Sequence, residues 1–475
     1  MNTFASLREI QDEIKSGTTS CSQVVEACLN NIDKYSHLNA FLEVYPQEAL
    51  AKAVEIDYKI TNGTAGRLAG LVVGLKDMLC YRDHHLQAGS KILEGFESQF
   101  NGTAVQRLLD EDAIIIGRQN CDEFGMGSSN ENSAFGPSVN GIGKDRVPGG
   151  SSGGSAVAVQ MDMCQVSLGT DTGGSVRQPA AFTGVIGLKP TYSRISRYGL
   201  VAYASSFDSI GIISKNLQDN ALILQVISGK DAFDSTVSRN PVPEFNILEE
   251  IGPSRIGYIK ESLETTRVQQ EVKTNTLRQL KSLQEMGHQV EAVDFPLIEY
   301  VLPTYYLLTT AEASSNLSRY DGVKYGYRSD NEESLDSFYK STRSEGFGQE
   351  VQKRIMLGTF VLSADYCDAF YKKAQKVRRL IKDKTTELFQ KYDFVVMPTA
   401  PTTAFELGTF TDNPLEMCWS DLFTVPASVS GNPAISIPNG VDKNGLPVGF
   451  QIIADDFNEQ GLYALSNAIF RARDN

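Results

Sequence analysis

Apolar positions recur along this chain in two rhythms. Near the start, Leu7, Ile10 and Ile14 share one helical face. After the break Gly17-Thr18-Thr19-Ser20, Val25, Cys28, Leu29 and Ile32 resume the same spacing. Two N-terminal helices are predicted. Val105, Leu108 and Leu109 predict a short helix leading into a strand-like run from Ala113 to Gly117, and Gly70 to Leu75 reads as a buried strand ended by Lys76. Further on, Arg255 to Ile259 is a strand, Val272 to Met286 a helix stopped by Gly287, and Val290 to Val293 a second strand. Phe394 to Met397, Ala434 to Ile437 and Phe450 to Ile453 read as short buried strands. Apolar strands alternating with amphipathic helices give an α/β fold. Its expected centre is a mixed, mostly parallel sheet with helices on both faces. Repeats and linkers are absent. The least regular stretch, Thr342 to Gln349, is expected to be a mobile loop.

Composition narrows the class. Of 475 residues, 41% are hydrophobic and 21% charged, which excludes a disordered or fibrous chain. Acidic residues outnumber basic ones, 58 to 44, for a net charge of −14. Such a surface repels phosphates, so a nucleic acid would have to be held by a partner. The seven cysteines form no C-x-x-C pair, which argues for a reducing compartment and against a zinc site. Met1 to Thr18 has no apolar signal region, and no apolar run is long enough to span a membrane. A cytoplasmic location is expected.

Chemistry concentrates between Val147 and Pro190. Two glycine–serine loops lie there, Pro148-Gly149-Gly150-Ser151-Ser152-Gly153-Gly154-Ser155 and Asp171-Thr172-Gly173-Gly174-Ser175-Val176-Arg177-Gln178-Pro179. The apolar segment Ala156 to Val159 and a strand-like run from Cys164 to Gly169 separate them, so both loops can meet on one sheet edge. A phosphate loop is excluded, because Gly143-Lys144 is followed by Asp145 and Ser138 stands where the first glycine belongs. The G-x-S-x-G elbow matches around Ser151 and Ser152. Its histidine is missing: of four histidines only His288 follows the loop, in a turn between helix and strand. A serine nucleophile here needs another base. Lys76, at the end of a buried strand, can serve if burial keeps it neutral. Ser337 to Lys340 matches S-x-x-K by chance, since no K-T-G accompanies it.

Lys76 and the two loops, in this order and spacing, resemble the amidase signature family. The resemblance runs from about Gly70 to Pro190 and resumes in the C-terminal strands. It implies a single large domain over residues 61–475, with its catalytic core at about 70–210, preceded by a helical segment over residues 1–60. Three other segments lie outside the three shared elements: Glu123 to Glu131, which includes Ser128, then Ala311 to Tyr320, and Arg354 to Gly358. Within the family they make the chain most similar to the glutamine-hydrolysing subunits of tRNA-dependent amidotransferases.

By position, the resemblance implies that Ser175 is the acyl-forming nucleophile, Ser151 the bridging serine after a cis bond from Gly150, and Lys76 the base. Backbone N–H groups of Thr172, Gly173, Gly174 and Ser175 would form the oxyanion hole. Arg354 and Asp421 match positions that hold the α-carboxylate and α-ammonium of glutamine. A tyrosine is expected beside them; Tyr305 and Tyr306 both qualify. Ser128 is a further candidate contact. Asp171 and Arg177 read as an ion pair bracing the turn. Departures from the family pattern are His84-His85-Leu86-Gln87 and Gly141 to Asp145, both in loops. The implied reaction converts glutamate on tRNA(Gln) to glutamine with ammonia released here. B and C subunits complete a heterotrimer, tRNA is held by B, and ATP and Mg²⁺ are used by the partner. No cofactor or metal is expected in this chain. The alternative is a stand-alone amidase acting on another small amide, against which a charge pair for a zwitterion argues.

Overall fold

The strand-forming runs of the sequence pair into one sheet. The computed structural model describes residues 6–330, 334–410 and 413–474. In chain order the strands are β1 (Phe41–Val44), β2 (Val72–Lys76), β3 (Ile114–Gln119), β4 (Val166–Asp171), β5 (Ile186–Lys189), β6 (Ser209–Ser214), β7 (Arg255–Ile259), β8 (Gln289–Val293), β9 (Phe394–Pro398), β10 (Ala434–Val441) and β11 (Pro447–Ala454). Their order across the sheet is β1-β3-β2-β4-β6-β5-β10-β11-β9-β7-β8.

Each central strand is buried along its length because helices cover both faces. Alternate residues of β3 show this. Ile114 and Ile116 join one apolar cluster with Val24, Val25, Ile56 and Val157, while Ile115 joins another with Leu168, Phe450 and Leu465. That alternation is the period of two expected of a pleated strand.

The balance of directions differs from expectation. Among the described residues, β2 runs parallel to β3 and β4, and β7 to β8 and β9; the six remaining pairings are antiparallel. Part of the reason is a tight turn: Asp442 accepts from the N–H groups of Asn444 and Leu446 and folds β10 directly back onto β11. A strand buried on both faces carries a continuous apolar run whatever its direction, so apolarity did not reveal this.

The first sixty residues form the helices Leu7–Lys15, Cys21–Lys34 and Pro46–Thr61. Ser6 and Glu9 cap the first reciprocally, and Ser20 caps the second. The segment also contains β1, which pairs with β3 and sews it to the sheet edge.

Thr342 to Gln349 is not a loop. It comprises the last turn of helix Leu335–Gly346, the link Phe347-Gly348 and the first residue of helix Gln349–Leu362. Its polar residues Ser344 and Glu345 face solvent, but Thr342, Gly346 and Phe347 are buried. Irregular spacing hid a tight helix–helix corner.

Candidate active site

Strand β2 ends at Lys76, which lies wholly inside the protein. Its Nζ donates to three hydroxyls: Ser151 Oγ at 2.6 Å, Thr170 Oγ1 at 2.7 Å and Ser152 Oγ at 3.0 Å. Burial lowers this amine to about 8, against the opposing pull of Cys121, Asp122, Asp171 and Asp208. A neutral lysine keeps two N–H donors and gains a lone pair. Three hydroxyl neighbours suit that form, since one of them can donate in return.

Ser151 and Ser152 precede helix Gly153–Gln160, and the Gly150–Ser151 bond is cis. The loop is tied down on both sides. Gly150 N–H donates to Gln178 Oε1 at 2.9 Å, and Asp122 N–H donates to the Ser151 carbonyl at 3.2 Å. Ser152 N–H donates to the Ser175 carbonyl at 3.1 Å, drawing the two glycine–serine loops together. No hydrogen bond joins the Ser151 and Ser175 hydroxyls among the described residues.

Between β4 and helix Arg177–Thr183 the chain turns sharply around Asp171. The Asp171 carboxylate accepts from Gly174 N–H at 2.8 Å and Val176 N–H at 3.2 Å, and from Arg177 Nη2 at 2.9 Å and Nε at 3.0 Å. Both partners of this ion pair are inaccessible to solvent. Burial alone would raise the Asp171 carboxyl, but Arg177 beside it holds it below the usual range. Arg177 also reaches Gln451 Oε1 at 2.6 Å and the Thr424 carbonyl at 2.8 Å. The pair is a brace, as its spacing suggested.

That brace corrects one expectation. The N–H of Gly174 is spent on Asp171 and is not free for an oxyanion. The N–H groups of Thr172, Gly173 and Ser175 have no partner among the described residues. Around them the turn is held by Thr172 Oγ1 donating to Asp208 at 2.8 Å and Thr424 Oγ1 donating to the Gly173 carbonyl at 2.7 Å. Two glycines are required here. Gly174 has φ +138, and its missing side chain leaves room for Thr424; a Cβ on Gly173 would lie 2.5 Å from the Tyr305 hydroxyl.

A cavity of about 230 Å³ opens nearby, lined among others by Ser128, Tyr306, Glu350, Lys353, Arg354 and Cys418. Arg354 projects from helix Gln349–Leu362. Its Nε donates to Glu350 at 2.8 Å and its Nη1 to the Tyr203 hydroxyl at 2.8 Å, while Nη2 takes no partner among the described residues. Asp421 stands behind the wall, accepting from Ser128 Oγ at 2.6 Å. Burial raises its carboxyl to about 7, with the Ser128 hydrogen bond and Arg354 opposing. The Arg354 guanidinium thus lines the cavity, and the Asp421 carboxyl lies one side chain behind it, on Ser128. The two tyrosines separate. Tyr306 lies on the cavity wall with its ring 5.4 Å from the Arg354 guanidinium, whereas Tyr305 packs under Gly173.

Thr170, Tyr203 and Thr424 were not singled out in the sequence, and Ser152 only as an elbow serine. Ser152 lies within the first loop, and Thr170 had a signal in directly preceding the second. Tyr203 and Thr424 had none, because only the fold brings them to Arg354 and Gly173. Of the two loop departures, His84 stacks on Tyr81 and reaches Glu48 at 3.0 Å, so it fastens the loop to helix Pro46–Thr61. Arg146, which follows the second, pairs with Glu406 at 3.1 Å. No cluster able to hold a metal ion occurs among the described residues.

The chain is similar to known proteins along nearly its whole length. The A subunit of glutamyl-tRNA(Gln) amidotransferase from Chlorobium phaeobacteroides (strain BS1) is 49% identical, over 99% of this chain and 99% of that protein. The protein of the same name from Chlorobaculum tepidum is 50% identical over 96% and 95%. A crystal structure of the A subunit of glutamyl-tRNA(Gln) amidotransferase from Thermotoga maritima has 37% identity and a TM-score of 0.80, covering 97% of this chain and 93% of that one. The family model described as Amidase matches residues 23–463, nearly the whole chain, and with such relatives along its length this chain belongs to the amidase family.

Proposed function

We infer that this chain is the glutamine-hydrolysing subunit of a tRNA-dependent amidotransferase, which supplies ammonia to convert Glu-tRNA(Gln) to Gln-tRNA(Gln). The observation that carries the reading is the fully buried Lys76 amine on the Ser151 hydroxyl, beside a turn with unused N–H donors. Relatives of about half identity bear that enzyme's name.

In this reading neutral Lys76 takes a proton from Ser151, and Ser151 takes one from Ser175. The Ser175 oxygen attacks the side-chain amide carbon of glutamine. Charge gathers on the former carbonyl oxygen, where the N–H groups of Thr172, Gly173 and Ser175 meet it; one such donor is worth ~10²–10³ in rate. The proton returns through Ser151 to the leaving nitrogen, and ammonia departs. Water then hydrolyses the acyl ester at Ser175 by the same proton route and releases glutamate. Arg354 Nη2 takes the substrate's α-carboxylate and Asp421 its α-ammonium, with Tyr306 and Ser128 on the wall between them.

Ammonia passes to a B subunit that holds the tRNA and activates its glutamate with ATP and Mg²⁺, and a C subunit completes a cytoplasmic heterotrimer. The net charge of −14 supports leaving tRNA to a partner. None of the described helices is long and apolar enough to cross a membrane. The test is ammonia release from glutamine by the complex purified through this chain, beside Ser175→Ala. Release abolished in the variant is expected. Equal release from both, or rapid turnover of an apolar amide with none of glutamine, would refute the reading.

A further inference from the structure

Glu123 is a buried acid that the chemistry above does not use. Only 2% of it is exposed, and no cation pairs with it among the described residues. Its carboxylate accepts from Gly348 N–H at 2.9 and 3.1 Å and, through a short hydrogen bond, from the Ser90 hydroxyl. Gly348 is the N-cap of helix Gln349–Leu362 and has no side chain to cap it. Glu123 therefore brings a negative charge from another segment to the positive end of that helix. Gly348 leaves room for this, because a Cβ there would overlap Glu123 Oε2. The adjoining rings reinforce the joint: Phe124 lies 5.8 Å from Phe347 and 5.1 Å from Tyr320.

Each end of this joint leads to the site. On one side Asp122, the preceding residue, donates to the Ser151 carbonyl. On the other, Arg354 lies six residues beyond Gly348 on the helix being capped. Main chain and hydrogen bonds run without a gap from the bridging serine to the cavity's cation.

We propose that Glu123 is a positioning residue for the substrate: it clamps the first turn of helix Gln349–Leu362 to the segment holding Ser151, and so sets the distance between Arg354 and the attacking serines. The role rests on the glutamine reading given above. Because Arg354 touches the α-carboxylate and not the reacting amide, loosening the clamp acts on binding before chemistry.

The experiment is steady-state glutamine hydrolysis by the purified complex with wild-type chain, Glu123→Gln, Gly348→Ala and the double variant. The buffer is mildly alkaline, since burial raises the Glu123 carboxyl to about 7 and it must be ionised. Each single variant is expected to raise KM by ~10-fold, the scale of one charge–dipole contact in a buried setting, with kcat within about twofold. The double variant is expected to match the singles, because both break one contact. Should Glu123→Gln not fold, Gly348→Ala carries the same test from the other side. Unchanged KM in the variants, or a fall in kcat at constant KM, overturns the proposal and leaves the glutaminase reading standing. A wild-type complex that hydrolyses no glutamine overturns both.

Discussion

Replacing Lys76 by methionine removes the amine and leaves an unbranched side chain one heavy atom shorter. Three hydroxyls lose a donor, and each lost buried hydrogen bond costs about 1 kcal/mol. Ser152 retains its bonds to the Thr170 carbonyl and N–H, and relief from burying an amine offsets part of the rest. The fold should survive with a modest fall in denaturant midpoint. Activity should not, because a positioned base is worth ~10²–10⁴ in rate. The sharper readout is pH. With the amine titrating at about 8, roughly one Lys76 in eleven is neutral at pH 7 and about ten in eleven at pH 9. Wild-type kcat/KM for glutamine should therefore climb about tenfold across those two units and level off. The residual rate of Lys76→Met should lack that climb. Ammonia release measured from pH 6 to 10 decides the matter. Wild-type turnover in the variant, or the same acidic limb in both, refutes Lys76 as the base.

Gly173→Ala should drive a methyl into the Tyr305 hydroxyl and displace the oxyanion turn; kcat should fall ~10²-fold with a modest fall in melting temperature from the overpacking, and activity within a few-fold of wild type would show that the turn does not carry the donors. Asp421, raised to about 7 by burial, should protonate as the pH falls below 7 and lose the substrate ammonium; KM for glutamine should rise on the acid side, and Asp421→Asn should have a high KM with that dependence gone. Lys189→Met should leave the acidic limb near pH 8 and keep kcat/KM within about threefold of wild type, the range of an indirect effect; loss of the limb would mean that the wrong lysine has been assigned to it.

The sequence carried the parts of this site that sit next to each other in the chain. Two glycine–serine loops flanked by apolar runs could be placed at a sheet edge, and Lys76 at the end of a buried strand follows from its neighbours alone. Partners that come together only through folding were invisible. Tyr203 reaches Arg354 across 151 positions, and Thr424 reaches the Gly173 carbonyl across 251. Gly174 shows a subtler loss. Its place in the loop was correct, but whether its N–H faces a substrate or the Asp171 carboxylate depends on φ and on the brace behind the turn. Strand direction was hidden for a similar reason. Burial on both faces removes the polar alternation that would have marked the antiparallel part of the sheet.

Two lysines end strands in this sheet, and their comparison shows what makes one of them a candidate base. Lys76 ends β2 and Lys189 ends β5; neither is more than 1% exposed, and burial pushes them down to about 8 and about 7. By acidity alone Lys189 is the better base near neutral pH. Its nitrogen, however, donates at 2.9 Å to the carbonyl of Pro190, which has no proton to give. Nor is a hydroxyl bonded to it among the described residues. Lys76 faces three hydroxyls, two of them on the loop that Ser175 grips through its carbonyl. Burial therefore makes either amine available as a base, and only the proton donor within reach distinguishes a catalytic lysine from a merely buried one.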